Sequence, residues 1–106
     1  MAKTSDLINA NLSEFVIEYR IHASQRMFQR DIHEDDVEMI LKNGEIIERY
    51  DEDFPLPSVL INGRTAEGRP LHVVAAINNS ERIIVVITAY EPDILRWTSN
   101  FSGRVK

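Results

Sequence analysis

The hydrophobic pattern changes its period within one segment, Val37-Glu38-Met39-Ile40-Leu41-Lys42-Asn43-Gly44-Glu45-Ile46-Ile47-Glu48-Arg49-Tyr50. Up to Leu41, apolar residues recur three and four positions apart, which is typical of an amphipathic helix. Asn43 and Gly44 predict the end of this helix, with Gly44 in the left-handed conformation that glycine adopts easily. From Glu45 onward the pattern is typical of β-strands. Helices followed by strands indicate an α+β domain.

The remaining elements follow from the same kind of pattern. Helices are predicted over 22–30 and 33–43, and strands over 45–50, 58–62, 71–77 and 82–90. The last strand contains Ile83-Ile84-Val85-Val86-Ile87, which is apolar on both faces, so we expect a central strand that is covered on both sides. We therefore predict an antiparallel four-stranded sheet with both helices on one face. Weaker patterns predict a short helix over 5–13, a strand over 15–21, and a short packed helix after Asp93 that carries Leu95, Trp97 and Phe101.

Length and composition predict one globular domain over residues 1–106, with 43% hydrophobic and 27% charged residues. The chain has no cysteine, which excludes disulfides, thiolate zinc sites and cysteine nucleophiles and is compatible with a reducing cytoplasm. No apolar run is long enough for a membrane span, and the N-terminus lacks the apolar stretch of a secretory signal. We therefore expect a cytoplasmic protein without a membrane segment.

Charge is distributed unevenly along a chain whose net charge is −5. The segment 31–53 carries ten acidic residues against Lys42 and Arg49, and it could receive a basic partner. The segment 20–30 contains no acid, and its helical spacing places His22, Arg26 and Arg30 in one row. We call these three residues the basic row. Ala23 and Met27 form the neighbouring apolar row, which Phe28 is predicted to extend. The basic row is either a solvated face or an anion-binding surface.

Six sequence pieces in a fixed order resemble a family of small bacterial domains of unknown function, numbered 4258. The pieces are His22-Ala23-x-x-Arg26-Met27-x-x-Arg30-x-Ile32, Asn43-Gly44-Glu45-x-Ile47-Glu48-x-Tyr50, Pro55-x-Pro57-Ser58-x-Leu60, Gly68-Arg69-Pro70-Leu71-His72-Val73-Val74, Ile87-Thr88-x-Tyr90-x-Pro92-Asp93, and Trp97 before Arg104. The resemblance covers roughly residues 19 to 104. The loop glycine typical of the family corresponds to Gly63, whereas the C-terminal basic run is thinner than the family pattern implies.

Members of that family are often grouped with the RelE- and barnase-like ribonuclease toxins. The resemblance therefore implies a RelE/barnase-like fold, RNA as substrate, and a metal-independent ribonuclease without a cofactor. It also implies an antitoxin-like protein partner that carries a zinc finger or a helix-turn-helix. Because a fold does not determine a function, the chemistry has to be argued from individual side chains.

Metal-independent RNA cleavage needs a base for the 2′-hydroxyl, a cation for the phosphorane and an acid for the 5′-oxygen. His72, which interrupts an apolar strand, and His22, at the start of its helix, are the acid/base candidates, and Tyr90 is a further catalytic candidate. Arg26 and Arg30 are candidates for binding phosphate. Each candidate has a structural alternative. Either histidine could be a packing residue, and the arginines could pair with Asp31 or Asp35.

Two questions about these residues stay open in the sequence. An even number of residues between the third and fourth strands places His72 and Tyr90 on opposite sheet faces, whereas an odd number or a bulge places them together. His22, His33 and His72 could also form a three-histidine metal site, but their spacing matches no ligand pattern, and His33 is expected to be an exposed residue at a helix start. We therefore predict no metal site.

Two other function classes compete with the ribonuclease. The domain could be a noncatalytic binding module of the same fold, which the net charge favours, or a structural homo-oligomer. A ribonuclease of the predicted kind requires His72 and the basic row to converge in one groove, whereas a binding module does not.

Overall fold

The computed structural model describes residues 3, 4, 7, 8, 11–53 and 55–105. It contains two helices, α1 (Ile21–Gln29) and α2 (Glu34–Asn43), and five strands, β1 (Val16–Tyr19), β2 (Glu45–Tyr50), β3 (Ser58–Arg64), β4 (Pro70–Asn78) and β5 (Ile83–Tyr90). A single 3₁₀ turn over Leu12–Glu14 precedes β1. The α+β class, the two long helices and the four later strands are therefore confirmed. Part of the predicted helix over 5–13 lies outside the described residues, and its described end forms the 3₁₀ turn.

The sheet has five strands in the order β1-β5-β4-β3-β2, and it is mixed. The prediction of a four-stranded antiparallel sheet is wrong, because β1 pairs in parallel with the outer edge of β5, from Val16 beside Ile83 to Tyr19 beside Val86. Strands β2 to β5 form the expected antiparallel meander, which would leave β5 at an edge. Since β5 is apolar on both faces, its open edge needs a neighbour, and β1 supplies it. The expected interior position of β5 is confirmed, but cover on both faces is not complete, because Ile83, Val85 and Ile87 are only partly buried.

Both helices cover the same face of the sheet, as predicted; we call it the helix face. α1 packs on β5, while α2 packs on β3 and β4. Ala23 and Met27 of α1 are buried in this core, together with Val37, Ile40 and Leu41 of α2. Phe28, however, is 89% exposed, so the prediction that it extends the buried row of α1 is wrong. One position past Met27, a helical residue turns about 100° away from the sheet.

Gly44 follows α2 in an extended conformation with a φ of −75°, not in the predicted left-handed one. Its lack of a side chain serves close packing instead. A Cβ at this position would collide with the Ile61 side chain and with the Ile40 carbonyl oxygen. The chain therefore passes directly from α2 into β2, and the backbone at this point approaches Ile61 and Ile40 so closely that only glycine fits.

The C-terminal tail crosses the opposite face of the sheet, which we call the tail face. Trp97 and Phe101 are buried there against Leu60 of β3, and the tail folds back on itself through a β-bridge between Trp97 and Arg104. The predicted short helix after Asp93 is wrong: this segment forms turns, and Leu95 is 80% exposed. Two hydrogen bonds to the Asp93 carbonyl, from the amides of Arg96 and Trp97, close the turn, and no third follows to extend a helix.

None of the helices in the described ranges is both long and apolar enough to cross a membrane.

Candidate functional site

His72 lies on the tail face near the start of β4, the central strand of the sheet, and is completely buried. Its imidazole ring packs edge-on against Trp97, with the ring centroids 4.4 Å apart, and against Tyr90 at 5.3 Å. The Nε2 atom lies 2.8 Å from the carbonyl oxygen of Phe101, and Nδ1 lies 3.2 Å from the Tyr90 hydroxyl. Tyr90 of β5 and two residues of the tail, Trp97 and Phe101, therefore enclose the imidazole.

These two hydrogen bonds assign the tautomer of His72. A carbonyl oxygen can only accept, so Nε2 carries the proton and donates it to Phe101. Nδ1 is then an acceptor, and the Tyr90 hydroxyl donates to it. The neutral ring is fully satisfied, with its single lone pair facing the phenol. Phe101 presents its carbonyl from a left-handed conformation, with a φ of 60°, which is unfavourable for a residue with a bulky side chain.

A β-bulge brings His72 and Tyr90 to the same sheet face. The link between β4 and β5 contains four residues, because Asn78 pairs with Ile83. With an even number of linking residues and no bulge, Tyr90 would lie on the helix face, opposite His72. The register shifts between Val74 and Ala75, which leaves Ile87 as the extra residue, and His72 then pairs directly with Tyr90. The structure thus answers a question that the sequence left open.

Burial lowers the pKa of His72, because a charged imidazole would lose its hydration. The hydrogen bond to Phe101 and the Glu48 carboxylate oppose this effect but are smaller. Burial also raises the pKa of Tyr90. At neutral pH both groups are therefore neutral, and the proton that they share lies on the phenol.

The lowered pKa of His72 predicts a stability that depends on pH. Below about pH 6.5 the unfolded chain binds a proton at His72, whereas the buried imidazole of the folded protein stays neutral. The free energy of unfolding therefore decreases as the pH decreases. The contribution is fully present above that pH and is lost as the pH approaches the folded pKa. Urea unfolding can be measured at several pH values between about 5 and 8. The plot of unfolding free energy against pH should be steeper for the wild type than for His72→Gln, by up to about 1.4 kcal/mol per pH unit. Equal slopes would contradict the assignment.

Tyr90 opens into a groove of about 410 Å³ at one end of the sheet, which we call the Tyr90 groove. Three arginines from separate parts of the chain line this groove, together with the phenol, an indole edge and two carboxylates: Arg30, Tyr90, Glu91, Asp93, Arg96, Trp97 and Arg104. The groove is open to solvent, and Tyr90, whose hydroxyl contacts His72, is among the residues that line it. A phosphate group entering here would meet guanidinium groups and a phenol.

Arg30 reaches this groove from the end of α1. Its Nη1 donates to the Ala89 carbonyl at 2.9 Å, next to Tyr90 in β5. The link after Arg30 is fixed by Arg69, whose Nη2 and Nη1 donate to the carbonyls of Arg30 and Asp31 at 2.8 and 2.7 Å. Asp31 has a positive φ of 55°, and these bonds stabilise it. The alternative that Arg30 pairs with acids of α2 does not occur among the described residues.

Arg104 ties the tail to β2 at the other side of the groove. Its guanidinium binds Glu48 with two hydrogen bonds of 2.7 and 3.0 Å and lies over the Trp97 ring at 4.7 Å. The bond from Arg104 holds the pKa of Glu48 below its usual value. The Tyr50 hydroxyl donates to the same carboxylate at 2.7 Å, and burial is the main reason why the pKa of Tyr50 is raised to about 12. This contact keeps the tail closed over His72.

The other candidates lie elsewhere. His22 and Arg26 are exposed on α1 and do not line the Tyr90 groove, so only Arg30 of the basic row reaches it. His33 is the exposed N-cap of α2, as expected, and its Nε2 lies 3.3 Å from an Asp31 carboxylate oxygen. The described residues contain no cluster of three or more His, Cys, Asp or Glu side chains that could hold a metal ion. The roles of His22 and Arg26 stay predictions.

Several residues of the groove were missed as site residues in the sequence. Arg96 and Glu91 carry no motif, and Arg104 and Trp97 were noticed only as parts of the family resemblance. One available signal was the tail itself, because Trp97 and Phe101 are large apolar residues in an otherwise polar segment after Pro92. Such residues need a surface to cover, and the only strand face without helices was the one that carries His72.

Comparison with known proteins gives one match, to a protein family. Residues 19–91 match the model of a family described as "Domain of unknown function (DUF4258)". No curated protein and no solved structure matches the chain. The matched segment runs from the end of β1 to Glu91, and it includes His72, Tyr90 and Arg30.

Proposed function

The chain belongs to the DUF4258 family of domains of unknown function, and we propose that it is a metal-independent endoribonuclease of the toxin type that acts in the Tyr90 groove. The observation that carries this proposal is the hydrogen bond between Nδ1 of the buried His72 and the hydroxyl of Tyr90, a residue that lines the groove. A phenol that is connected to a buried base beside several guanidiniums is a suitable arrangement for moving a proton next to a phosphate.

The proposed reaction begins with the 2′-hydroxyl of the RNA beside Tyr90. Its oxygen attacks the adjacent phosphorus, its proton passes to the Tyr90 oxygen, and the phenol proton passes to Nδ1 of His72. The Phe101 carbonyl and the Glu48 carboxylate stabilise the imidazolium that forms. The bond from phosphorus to the 5′-oxygen breaks, and this oxygen takes a proton from water in the open groove. The hydroxide that forms takes a proton from Tyr90, and Tyr90 takes one back from Nδ1 of His72, which restores the neutral imidazole. The products are a 2′,3′-cyclic phosphate and a 5′-hydroxyl.

The arginines contribute charge to this step. Arg30 is held by the Ala89 carbonyl, and Arg96 makes no side-chain hydrogen bond or ion pair with the described residues, so both can approach a phosphate. The charge that develops on the phosphorane oxygens is then stabilised by groups that are already in place. His22 and Arg26 are proposed only as more distant contacts for the RNA backbone.

The location, the fold relationship and the partner that the resemblance implies belong to the same proposal. Two helices on one face of a mostly antiparallel sheet support a RelE/barnase-like fold. We propose a bacterial, cytoplasmic protein whose antitoxin-like partner contacts the basic row or the acidic segment 31–53. The separation of charge between these surfaces supports a partner of opposite sign on either of them.

The test is cleavage of a labelled RNA by the purified protein, alone and with ribosomes, in the presence of EDTA. We expect cleavage that survives EDTA, yields a 2′,3′-cyclic phosphate, and stops when a 2′-deoxynucleotide replaces the nucleotide before the cut. Inhibition by EDTA would indicate a metal-dependent reaction and would contradict this mechanism. The absence of cleavage under all these conditions would exclude a ribonuclease of this kind.

A noncatalytic binding module is the second candidate function. It is favoured by the positions of His22 and Arg26, which do not converge with His72 in one groove as the catalytic hypothesis required. In this case the bonds of His72 serve only to hold the tail on the sheet. Co-purification from the native host at low and moderate salt distinguishes the two functions when combined with the cleavage assay, because a binding module retains its partner and cleaves nothing.

A further inference from the structure

Another pocket lies on the tail face, and the described tail residues are not among those that line it. It has a volume of about 280 Å³ and is formed by the residue before α1, by β4 and β5, and by the link between β2 and β3: Arg20, Asp53, Pro55, Leu56, Ala76, Val85 and Ile87. We call it the Arg20 pocket. Ala76 lies four residues after His72 in β4 and therefore on the same sheet face, and Val85 pairs with it. The pocket thus has an apolar floor on the sheet.

Polar groups stand at two sides of this floor. In the sheet order, β1 neighbours β5 on one side, and β3 and β2 lie beyond β4 on the other. Arg20 directly follows β1, is exposed, and forms no hydrogen bond or ion pair through its guanidinium within the described part of the chain. Asp53 lies in the link before β3. Its Oδ2 accepts a hydrogen bond of 2.6 Å from the Ser58 hydroxyl, and its Oδ1 accepts none from the described residues.

The cation, the apolar floor and the carboxylate match the parts of a nucleotide. A guanidinium binds a phosphate, an apolar floor accommodates the face of a base, and a carboxylate oxygen accepts a hydrogen bond from an amino group of the base. A simple anion would be attracted to Arg20 but repelled by Asp53, and a simple cation would show the opposite behaviour. The carboxylate also discriminates between bases, because cytosine presents an amino group where uracil presents a carbonyl oxygen.

The Arg20 pocket follows the Tyr90 groove along β5. Ile87 lines the pocket and Tyr90 lines the groove, and three residues of a strand span roughly 10 Å. Between them, Thr88 pairs with Val74, which lies two residues after His72 and on the same face. An unpaired RNA strand that places one phosphate in the Tyr90 groove therefore brings a nearby nucleotide over the pocket. A duplex does not fit in this way, because its bases are stacked on one another and cannot lie on the sheet.

We propose that the Arg20 pocket is a nucleotide subsite for single-stranded RNA, next to the proposed cleavage site; this proposal rests on the proposed ribonuclease function. The base lies on Ala76 and Val85. The phosphate of the same nucleotide binds Arg20, and Asp53 accepts a hydrogen bond from the amino group of the base. The subsite therefore favours cytosine over uracil at this position of the strand, and it contributes to binding of the RNA rather than to the chemical step.

Fluorescence anisotropy with short labelled strands of oligodeoxycytidine and oligodeoxyuridine tests this proposal. These strands lack the 2′-hydroxyl, so the measurement reports binding without cleavage. We expect the wild type to bind the cytosine strand about tenfold more tightly, the usual effect of one hydrogen bond to a charged group. Asp53→Asn should remove most of this preference, because an amide can both donate and accept. Arg20→Ala should weaken both strands equally, by about tenfold, and lower the salt dependence of binding by about one phosphate contact.

Lys42→Ala is the matched control, because it removes an exposed positive charge from α2, on the helix face, and should leave both affinities unchanged. Equal binding of the two strands by the wild type, a preference that Asp53→Asn retains, or wild-type binding by Arg20→Ala would each overturn the proposal. The cleavage assay separates it from the proposed function. A cytosine preference that depends on Asp53, in a protein that cleaves no RNA, would support the subsite and exclude the ribonuclease. All three substituted side chains are exposed, so thermal melts should show folded variants.

Discussion

Replacing Tyr90 with phenylalanine is expected to lower the single-turnover rate of RNA cleavage by about 100- to 10,000-fold, the usual contribution of one group that transfers a proton. The reason is that Tyr90 lines the groove and its hydroxyl bonds Nδ1 of His72, so in the proposed reaction the proton passes through this hydroxyl. The substitution keeps the ring and its contact with the imidazole, and it removes the atom through which the proton would pass. The RNA should still bind, because the arginines remain.

The same substitution leaves Nδ1 of His72 without a donor. An unsatisfied buried acceptor costs about 1–3 kcal/mol. The variant should therefore melt below the wild type but remain folded at the assay temperature, which circular dichroism checks. Tyr50→Phe is the matched control, because its hydroxyl also forms a hydrogen bond on the tail face, to Glu48, but does not line the Tyr90 groove. A folded Tyr90→Phe protein that cleaves at the wild-type rate would exclude the proton path.

Replacing Arg30 with alanine is expected to lower the cleavage rate by about 100- to 1,000-fold, the magnitude found when one preorganised donor of positive charge is removed. Arg30 is the member of the basic row that lines the Tyr90 groove, and the Ala89 carbonyl holds its guanidinium beside β5. Arg26, one helical turn earlier, carries the same charge outside this groove. Arg26→Ala should therefore leave the rate close to that of the wild type.

Arg30→Ala also removes a hydrogen bond to the main chain. This loss should lower the free energy of unfolding by about 1 kcal/mol, which is too little to unfold the protein. Arg30→Lys separates the two contributions, since it keeps the charge but loses the planar donor pair that fits a phosphate. We expect an intermediate rate for this variant.

The sequence predicted the elements better than their arrangement. The spacing of apolar residues in α2, β2 and β4 is clear, and the first and last residues of these elements were predicted closely. The partner of β1 was not predictable, because alternation in the segment before α1 indicates a strand but not which edge it joins. The exposure of Phe28 was missed for a related reason: an aromatic residue beside a buried row is expected inside, and only the orientation of the helix on the sheet shows otherwise.

The candidate site was predictable only in part. His72, Tyr90 and Arg30 were selected from the sequence, but their proximity depends on the bulge at Ile87. The run from Ile83 to Ile87 is apolar at every position, so a shift of one residue leaves the pattern unchanged, and the sequence carries no sign of the bulge. Arg96 and Arg104 reach the groove because the tail folds back across the sheet, a contact between segments that no local pattern encodes.

The measurement that tests the location of the site most directly is the single-turnover cleavage rate of Arg30→Ala and Arg26→Ala on the same RNA, with EDTA present and melts recorded for both proteins. The two variants remove the same charge from the same helix, four residues apart, and differ in whether the lost side chain lines the Tyr90 groove. A large loss for Arg30→Ala with little change for Arg26→Ala is the predicted result. A larger loss for Arg26→Ala, or equal rates for two folded variants, would contradict a catalytic site in the Tyr90 groove.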